Sequence, residues 1–147
     1  MLTLAQYEIS TDLSRLDITL IHHFLRTSYW APNIPRVVVE HSIQNSLCFG
    51  AYQAEQQAGF ARAVTDFATF AYLADIFVVP EHRGRGVSKL LIRAILTHPE
   101  LQGLRRFLLA TQDAHGLYAQ FGFQRLAQPE HFMTIHRPSV YPGQSEA

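Results

Sequence analysis

Three features are scarce in the sequence: cysteine, net charge and long apolar runs. The one cysteine, Cys48, cannot form an internal disulfide, which is consistent with the cytosol. Twelve basic and twelve acidic side chains cancel, so there is no electrostatic footprint for nucleic acid. No run approaches the roughly 18 apolar residues of a membrane span, and residues 1–9 lack the basic start of a signal peptide. The sequence therefore predicts a cytoplasmic protein without nucleic-acid or membrane partners.

Motifs for metal and serine chemistry are also missing. No serine lies in a G-x-S-x-G elbow, and there is no H-E-x-x-H or Cys/His cluster. His22 and His23 are adjacent on a predicted helix, so their side chains point about 100° apart and cannot share one ligand. Cys48 lies between Leu47 and Phe49 and is interpreted as a buried structural thiol. We predict no metal site.

The chain length suits a single domain. A chain of 147 residues can bury about two-thirds of its unfolded surface, and neither repeats nor a linker interrupt it. Residues 138–147, PSVYPGQSEA, have no apolar periodicity. We predict one domain over residues 1–137, followed by a flexible tail.

Residues 70–95 contain the strongest local pattern. Phe70–Val79 is apolar on both faces apart from Asp75, as in a central strand covered on both sides, and Pro80 ends it. One face of a helix that ends before Pro99 follows, formed by Val87, Leu90, Leu91, Ala94 and Ile95.

A basic, glycine-rich segment joins this strand to this helix. Gly84 and Gly86 let the backbone approach a bound group, while Arg83 and Arg85 add positive charge at a helix N-terminus. These features favour a phosphate or pyrophosphate site; the alternative is a helix start with two solvated arginines. The spacing excludes a P-loop, and Lys89 stands where a dinucleotide fingerprint needs glycine.

The remaining pattern predicts a mixed α/β fold rather than a doubly wound one, because three strands in succession lead to one phosphate-binding helix. Asn33 is a candidate cap for a second helix. Val37–Val39 favours a strand by propensity. The other predicted strands cover residues 6–9, 47–52, 58–64, 106–110, 123–126 and 131–136, and the predicted short helix covers 114–121.

Two segments resemble a known family. Val78–Ser88 is similar to the acyl-CoA-binding motif [QR]-x-x-G-x-[GA] of the GNAT superfamily of N-acetyltransferases, with Arg83 and Gly86 matching. Ser88 departs from the motif by replacing glycine or alanine, but it is small. Asp113–Phe123, about thirty residues on, resembles the family's A-x-x-x-Y-x-x-x-G-F segment. Ser28–Pro35, SYWAPNIP, also resembles an uncharacterised bacterial subgroup.

The resemblance implies a GNAT fold: a mixed, mostly antiparallel sheet of about six to seven strands flanked by about four helices. It favours a helix, not a strand, through Ser42 or Ile43. It implies an acetyl-CoA-dependent N-acetyltransferase that acts on a primary amine, of a small molecule or a peptide, by direct transfer in a ternary complex. The alternative is a non-catalytic acyl-CoA-binding module. Dimers are common among such folds, so a homodimer is compatible with it.

The resemblance also assigns roles to residues. Tyr118 is the expected proton donor to the leaving thiolate. Asp75, the one ionisable residue on the central strand, is a candidate base or a structural partner, with His115 and Glu40 as weaker candidates. Tyr29 and Trp30 either wall the acceptor pocket or cover the core. The implied CoA-binding residues are Ile76, Phe77, Val78, Arg83, Gly84, Arg85, Gly86, Val87, Ser88 and Lys89.

Overall fold

The computed structural model describes residues 3–4 and 6–143, and its six strands form one sheet in chain order. The strands are β1 (Thr3–Leu4), β2 (Tyr7–Ser10), β3 (Leu47–Gln53), β4 (Gln56–Thr65), β5 (Phe70–Val78) and β6 (Arg106–Leu108). Neighbours are antiparallel from β1 to β5, and β6 is parallel to β5. The helices are α1 (Ile18–Arg26), α2 (Arg36–Gln44), α3 (Val87–Thr97) and α4 (His115–Ala119).

Helices cover both faces of the sheet, because the strands place apolar side chains alternately on each face. One core joins α3 to the strands through residues such as Leu91 and Phe49. The other joins α1 and α2 to the sheet through Ile21, Val39 and Phe60. The fold is therefore mixed α/β with a mostly antiparallel sheet, as the family resemblance implied.

Gly59 on β4 sets how closely α3 approaches the sheet. A Cβ atom at Gly59 would lie 2.9 Å from the Phe77 carbonyl oxygen and 3.2 Å from Leu91 Cδ1. Contacts this short are not tolerated in packed interiors. The absence of a side chain at this position thus lets Val87 and Leu91 of α3 pack closely on β4.

A bulge bends β5 at Asp75. Phe60 pairs with Phe77 and Arg62 pairs with Ala74, so β5 holds one extra residue between these pairs. Asp75 has a φ of 57°, which is uncommon for a residue with a side chain. Pairing between β5 and β6 ends at Tyr72 and Leu108. Within the described residues, the later part of β5 thus has no strand on its β6 side.

Several local predictions hold. The segment Arg36–Gln44 is a helix, as the resemblance implied against its strand propensity. Cys48 is a buried free thiol. His22 Nε2 lies 2.9 Å from the Ile34 carbonyl oxygen, on the rim of the α1–α2 layer.

Two absences concern the described part of the chain and stand apart from these predictions. In residues 3–4 and 6–143 no helix has both the length and the apolar character to cross a membrane. No His, Cys, Asp and Glu group of metal-site size occurs there.

The two predicted C-terminal strands, 123–126 and 131–136, are wrong. A single 3-10 turn, Pro129–His131, is the only regular element after α4 among the described residues. An apolar segment forms a strand when one of its faces is buried against the core, but Met133 is 96% exposed and Ile135 is 82% exposed. Other boundaries shift: β6 ends at Leu108, and α4 covers His115–Ala119 rather than residues 114–121.

Two details at the N-terminal side also differ from prediction. Strand β1 was not predicted. Asn33 does not cap α2, since it has a φ of 66° and the cap position is Pro35 without a side-chain hydrogen bond. An asparagine tolerates this left-handed conformation, so Asn33 forms the turn before the helix instead.

Candidate active site

The loop between β5 and α3 has the geometry of an anion cradle. Gly84 and Gly86 both have positive φ, 76° and 82°, a conformation that favours glycine. Gly86 is the cap residue of α3, and no side chain caps the helix start. The first N–H groups of α3 therefore have no intrahelical partner and are open to an anion.

Side chains hold this loop to the sheet. Arg83 Nε donates to the Val78 carbonyl at 2.9 Å. Arg85 Nη1 donates to the Tyr7 hydroxyl at 3.2 Å, and that hydroxyl lies 2.7 Å from Nδ1 of buried His82. Because Tyr7 Oη accepts from Arg85, its own proton is available to His82. The loop is therefore anchored to β2 as well as to β5.

The other predicted CoA-binding residues lie along the end of β5 and the start of α3. Phe77 is buried and its ring stacks on Phe24 with centroids 4.0 Å apart. Ile76 and Val78 are half-buried on the α3 side of the sheet. Val87 is buried under the loop, while Ser88 and Lys89 are progressively more exposed.

A cavity of about 760 Å³ lies beside β5. The segment between α1 and α2, the segment between β6 and α4 and the C-terminal segment form its other walls. It brings together five of the predicted site residues: Tyr29, Trp30, Asp75, Ile76 and Tyr118. The loop between β5 and α3 (residues 83–88), His115 and Glu40 do not line this cavity.

Asp75 is engaged on both carboxylate oxygens. Oδ2 accepts from Arg62 Nε at 2.9 Å, and Oδ1 accepts from Trp30 Nε1 at 2.8 Å. Arg62 Nη1 also donates to Ser46 Oγ at 3.0 Å. The Asp75 side chain is 10% exposed and that of Arg62 is 18% exposed. This is the geometry of a structural partner, and the base role stays a prediction.

Tyr118 on α4 faces the cavity. Burial, and secondarily the nearby Tyr29, raises the pKa of the Tyr118 phenol above its ordinary value. Its ring meets Phe123 edge-on with centroids 5.8 Å apart. The phenol is therefore fully protonated at neutral pH and available as a hydrogen-bond donor.

Tyr29 and Trp30 form a wall of the cavity and are not packed in a core. They are 55% and 40% exposed. Their rings meet edge-on at 5.0 Å, and the Gln112 N–H donates to the Tyr29 hydroxyl at 3.1 Å. This position fits the predicted contact with an acceptor, which stays a prediction.

Sequence reasoning missed several cavity residues. Arg62 had one usable signal, since it is a lone charge in the apolar run of β4. His136, Pro138 and Tyr141 line the cavity but lie in a C-terminal segment with no periodic pattern. Pro138 and Tyr141 belong to residues 138–147, interpreted from sequence as a flexible tail; residues 144–147 lie outside the described residues.

Comparisons with known proteins agree with this geometry. Residues 17–123 match the model of the "Acetyltransferase (GNAT) family". A GNAT-family structure from Xanthomonas campestris pv. campestris, whose acetyltransferase activity is inferred, is 52% identical with a TM-score of 0.91; the match covers 93% of this chain and 97% of that one. An inferred acetyltransferase of Gibberella zeae is 29% identical over 141 residues, 80% of this chain and 78% of the relative.

A more distant structure adds only a likeness of fold. A predicted acetyltransferase of Clostridium acetobutylicum, solved with acetyl-CoA, is 15% identical with a TM-score of 0.63, covering 88% of this chain and 94% of that one.

Proposed function

Because the chain belongs to the GNAT acetyltransferase family, we propose that it moves an acetyl group from acetyl-CoA to a primary amine by direct transfer in a ternary complex. The observation that supports this most is the position of β5. One end of the strand leads into the anion cradle at Gly84 and Gly86, and its middle borders the cavity that Tyr118 faces. The proposal includes a cytoplasmic location and one acetyltransferase domain over residues 1–137.

The cradle is the proposed site of the CoA diphosphate. Residues Arg83 to Ser88 wrap it, with backbone N–H groups from Gly84 to Ser88 binding its oxygens, since the Arg83 N–H donates to the Pro80 carbonyl. The positive end of the α3 dipole favours its charge. The pantetheine arm follows the edge of β5 at Ile76–Val78, where no strand from residues 3–4 or 6–143 pairs with it on the β6 side. Amide groups of the arm can satisfy backbone groups there, as an added strand would. This route leads the thioester to the cavity.

Transfer then needs three contributions. The amine nitrogen, in its neutral form, forms a bond to the thioester carbon. The carbonyl oxygen develops charge, which backbone N–H groups near Phe77 and Val78 stabilise. The C–S bond breaks and the Tyr118 hydroxyl donates to the departing sulfur. Full proton transfer from a phenol of pKa about 10 to a thiolate of about 8.5 is uphill, so the hydrogen bond acts mainly in the transition state.

Asp75 is the proposed base, through one water. A carboxylate has about four acceptor positions, and Arg62 and Trp30 occupy one on each oxygen. A water on a remaining position can take the proton of the attacking amine. Cys48 is not part of this chemistry: it does not line the cavity, and burial raises the pKa of its thiol to about 12. This supports direct transfer over an acetylated cysteine.

The proposal is tested by incubating the protein with acetyl-CoA and a panel of amines while following release of the CoA thiol. We expect amine-dependent release and a matching N-acetyl product. A calorimetric titration with CoA is run in parallel. CoA binding without turnover on any amine would contradict the enzyme and favour a non-catalytic acyl-CoA-binding module.

A further inference from the structure

Aromatic rings from four parts of the chain surround the cavity beside β5. They come from the segment after α1, from β5, from α4 and from the C-terminal segment, and they are Tyr29, Trp30, Tyr72, Tyr118 and Tyr141. Ring faces offer flat apolar surface that pairs well with another ring. Pro32, Ile34 and Val38 add apolar side chains to the same lining. The cavity is thus suited to a flat apolar group.

Contacts within the protein hold Tyr29 and Trp30, the aromatic wall of the cavity, in position without a ligand. The indole N–H of Trp30 donates to Asp75 at 2.8 Å, and its ring meets Tyr29 edge-on at 5.0 Å. Tyr29 is in turn held by the backbone of Gln112. A pre-ordered wall loses little conformational entropy on binding, so it favours a ligand that matches its shape.

The inner charges of the cavity cancel. Asp75 and Arg62 form an ion pair at 2.9 Å with both side chains largely buried. Arg62 is further occupied by Ser46. At this inner pair a substrate carboxylate therefore meets no unpaired cation, and a second ammonium group meets no unpaired carboxylate. Asp113 and His136 are the other titratable acid and base side chains of the lining; both are exposed, so water screens any charge that pairs with them.

We infer that the acceptor is a monoamine whose amino group is attached to an aromatic or similarly flat apolar body. The inference rests on the proposed function, which supplies the acetyl donor. A linear polyamine has a thin, flexible chain that covers less of the ring surface than a flat group does, and its inner ammonium group would lie beside a carboxylate that Arg62 and Trp30 already occupy. An amino acid would bring a carboxylate to a wall without a partner for it, at the cost of its desolvation.

Trp30 is the single tryptophan of the chain, so its fluorescence reports binding at this wall without turnover. The probes are 2-phenylethylamine, phenylalanine, which adds a carboxylate, and 1,6-diaminohexane, which replaces the ring with a second amine. We expect 2-phenylethylamine to bind about tenfold more tightly than either, which corresponds to one well-formed aromatic contact. Tighter binding of phenylalanine or the diamine, or no saturable change with any probe, would overturn the inference.

Turnover measurements on variants distinguish a contact between Trp30 and the acceptor from a general effect of the substitution on the fold. Trp30→Leu should lower kcat/KM for 2-phenylethylamine about tenfold with little change for the diamine. Trp30→Phe, which keeps a ring but loses the bond to Asp75, should restore the preference. Phe67→Leu removes an exposed ring outside the cavity and should change neither rate. Equal losses on both amines in Trp30→Leu would contradict the assignment.

The two proposals fail in distinguishable ways. If CoA does not bind, the acetyltransferase proposal is wrong, while the order of probe affinities at Trp30 still decides which class of amine the cavity binds. If acetyl-CoA is consumed with the diamine or phenylalanine in preference to 2-phenylethylamine, the acceptor class is wrong and the acetyltransferase stands.

Discussion

The loop between β5 and α3 (residues 83–88) and the cavity lie along the same strand, but backbone groups form the first and side chains form the second. The loop offers backbone N–H groups, and its conformation depends on the positive φ of Gly84 and Gly86. The cavity is formed by side chains that hold one another, in the chain Trp30–Asp75–Arg62. A substitution that changes the backbone path of the loop should therefore remove all of its N–H contacts together. A substitution in the cavity should remove only the contacts of the side chain that is replaced.

The largest expected effect comes from changing the path of the loop. Gly86→Val places a branched side chain at a φ of 82° and blocks the approach of the diphosphate. Loss of two charge-assisted hydrogen bonds, each about 1.5–3 kcal/mol, predicts a CoA affinity at least about a hundredfold weaker. Calorimetric titration of the folded variant measures it.

The matched control for this variant is Gly103→Val. Gly103 has a φ of 81° and open space around its Cα. It therefore has a comparable backbone cost of about 1–2 kcal/mol but lies outside the loop. Equal CoA affinity in the two variants would remove the diphosphate from residues 83–88.

The next largest effect is expected in the cavity, on kcat, when the Tyr118 hydroxyl is removed. Tyr118→Phe keeps the ring and should lower kcat by about 10²- to 10⁴-fold, with CoA affinity little changed. Tyr52→Phe is the control, because the buried Tyr52 hydroxyl has no hydrogen-bond partner among the described residues and Tyr52 does not line the cavity. Steady-state kinetics with chemistry shown to be rate-limiting provide the comparison. A kcat within about twofold of the parent would retire the acid role.

The pH dependence gives an independent check on Tyr118. Only the protonated phenol can donate, and burial raises its pKa above the ordinary value of about 10. The rate should therefore rise with pH as the amine loses its proton and should not fall until pH exceeds about 10. A fall in the parent protein between neutral pH and that point would contradict the assignment.

Substitutions of Asp75 and of its partner Arg62 distinguish a structural role of Asp75 from a catalytic one. Asp75→Asn and Arg62→Gln each leave one largely buried charge unpaired, so each should lower the free energy of unfolding by about 2–4 kcal/mol. Asp75→Asn alone should also lower turnover at neutral pH, with partial recovery as pH rises and more free amine is present. Equal turnover losses in both variants, with the same pH profile, would leave Asp75 as a structural partner only.

The smallest effect is expected where a side chain supports the backbone site. Tyr7→Phe removes the hydroxyl that joins Arg85 to His82 and should weaken CoA binding about fivefold, as expected for one hydrogen bond, with kcat unchanged. In an Arg85→Gln background the same substitution should have no further effect on affinity. An additive loss in the double variant would show that Tyr7 acts independently of Arg85.

The position and glycine-dependent path of the loop between β5 and α3 could be predicted from the sequence because its determinants are local; its binding of a phosphate stays a proposal. Glycine, arginine and the apolar face of α3 follow one another along the chain. The cavity could not, because Trp30, Arg62 and Asp75 meet only through the fold. The Arg62–Asp75 pair in particular depends on the bulge in β5, and a single extra residue in a strand leaves no sign in an apolar pattern.

The errors at the C-terminus have a similar cause. Residues 131–136 contain three apolar side chains, Phe132, Met133 and Ile135, but a strand also needs a neighbour and a buried face. Neither Met133 nor Ile135 is covered, so apolar content alone does not make this segment a strand. Val37–Val39 shows the opposite case, in which packing of Val39 against α1 overrides strand propensity.

Direct transfer is tested most directly by mass spectrometry of the intact protein and the small molecules after one turnover. We predict one N-acetyl amine for each CoA released, and no acetylated protein when acetyl-CoA is supplied without an amine. Acetylated protein that passes its acetyl group to an amine added later would contradict a ternary complex and require a nucleophile on the chain.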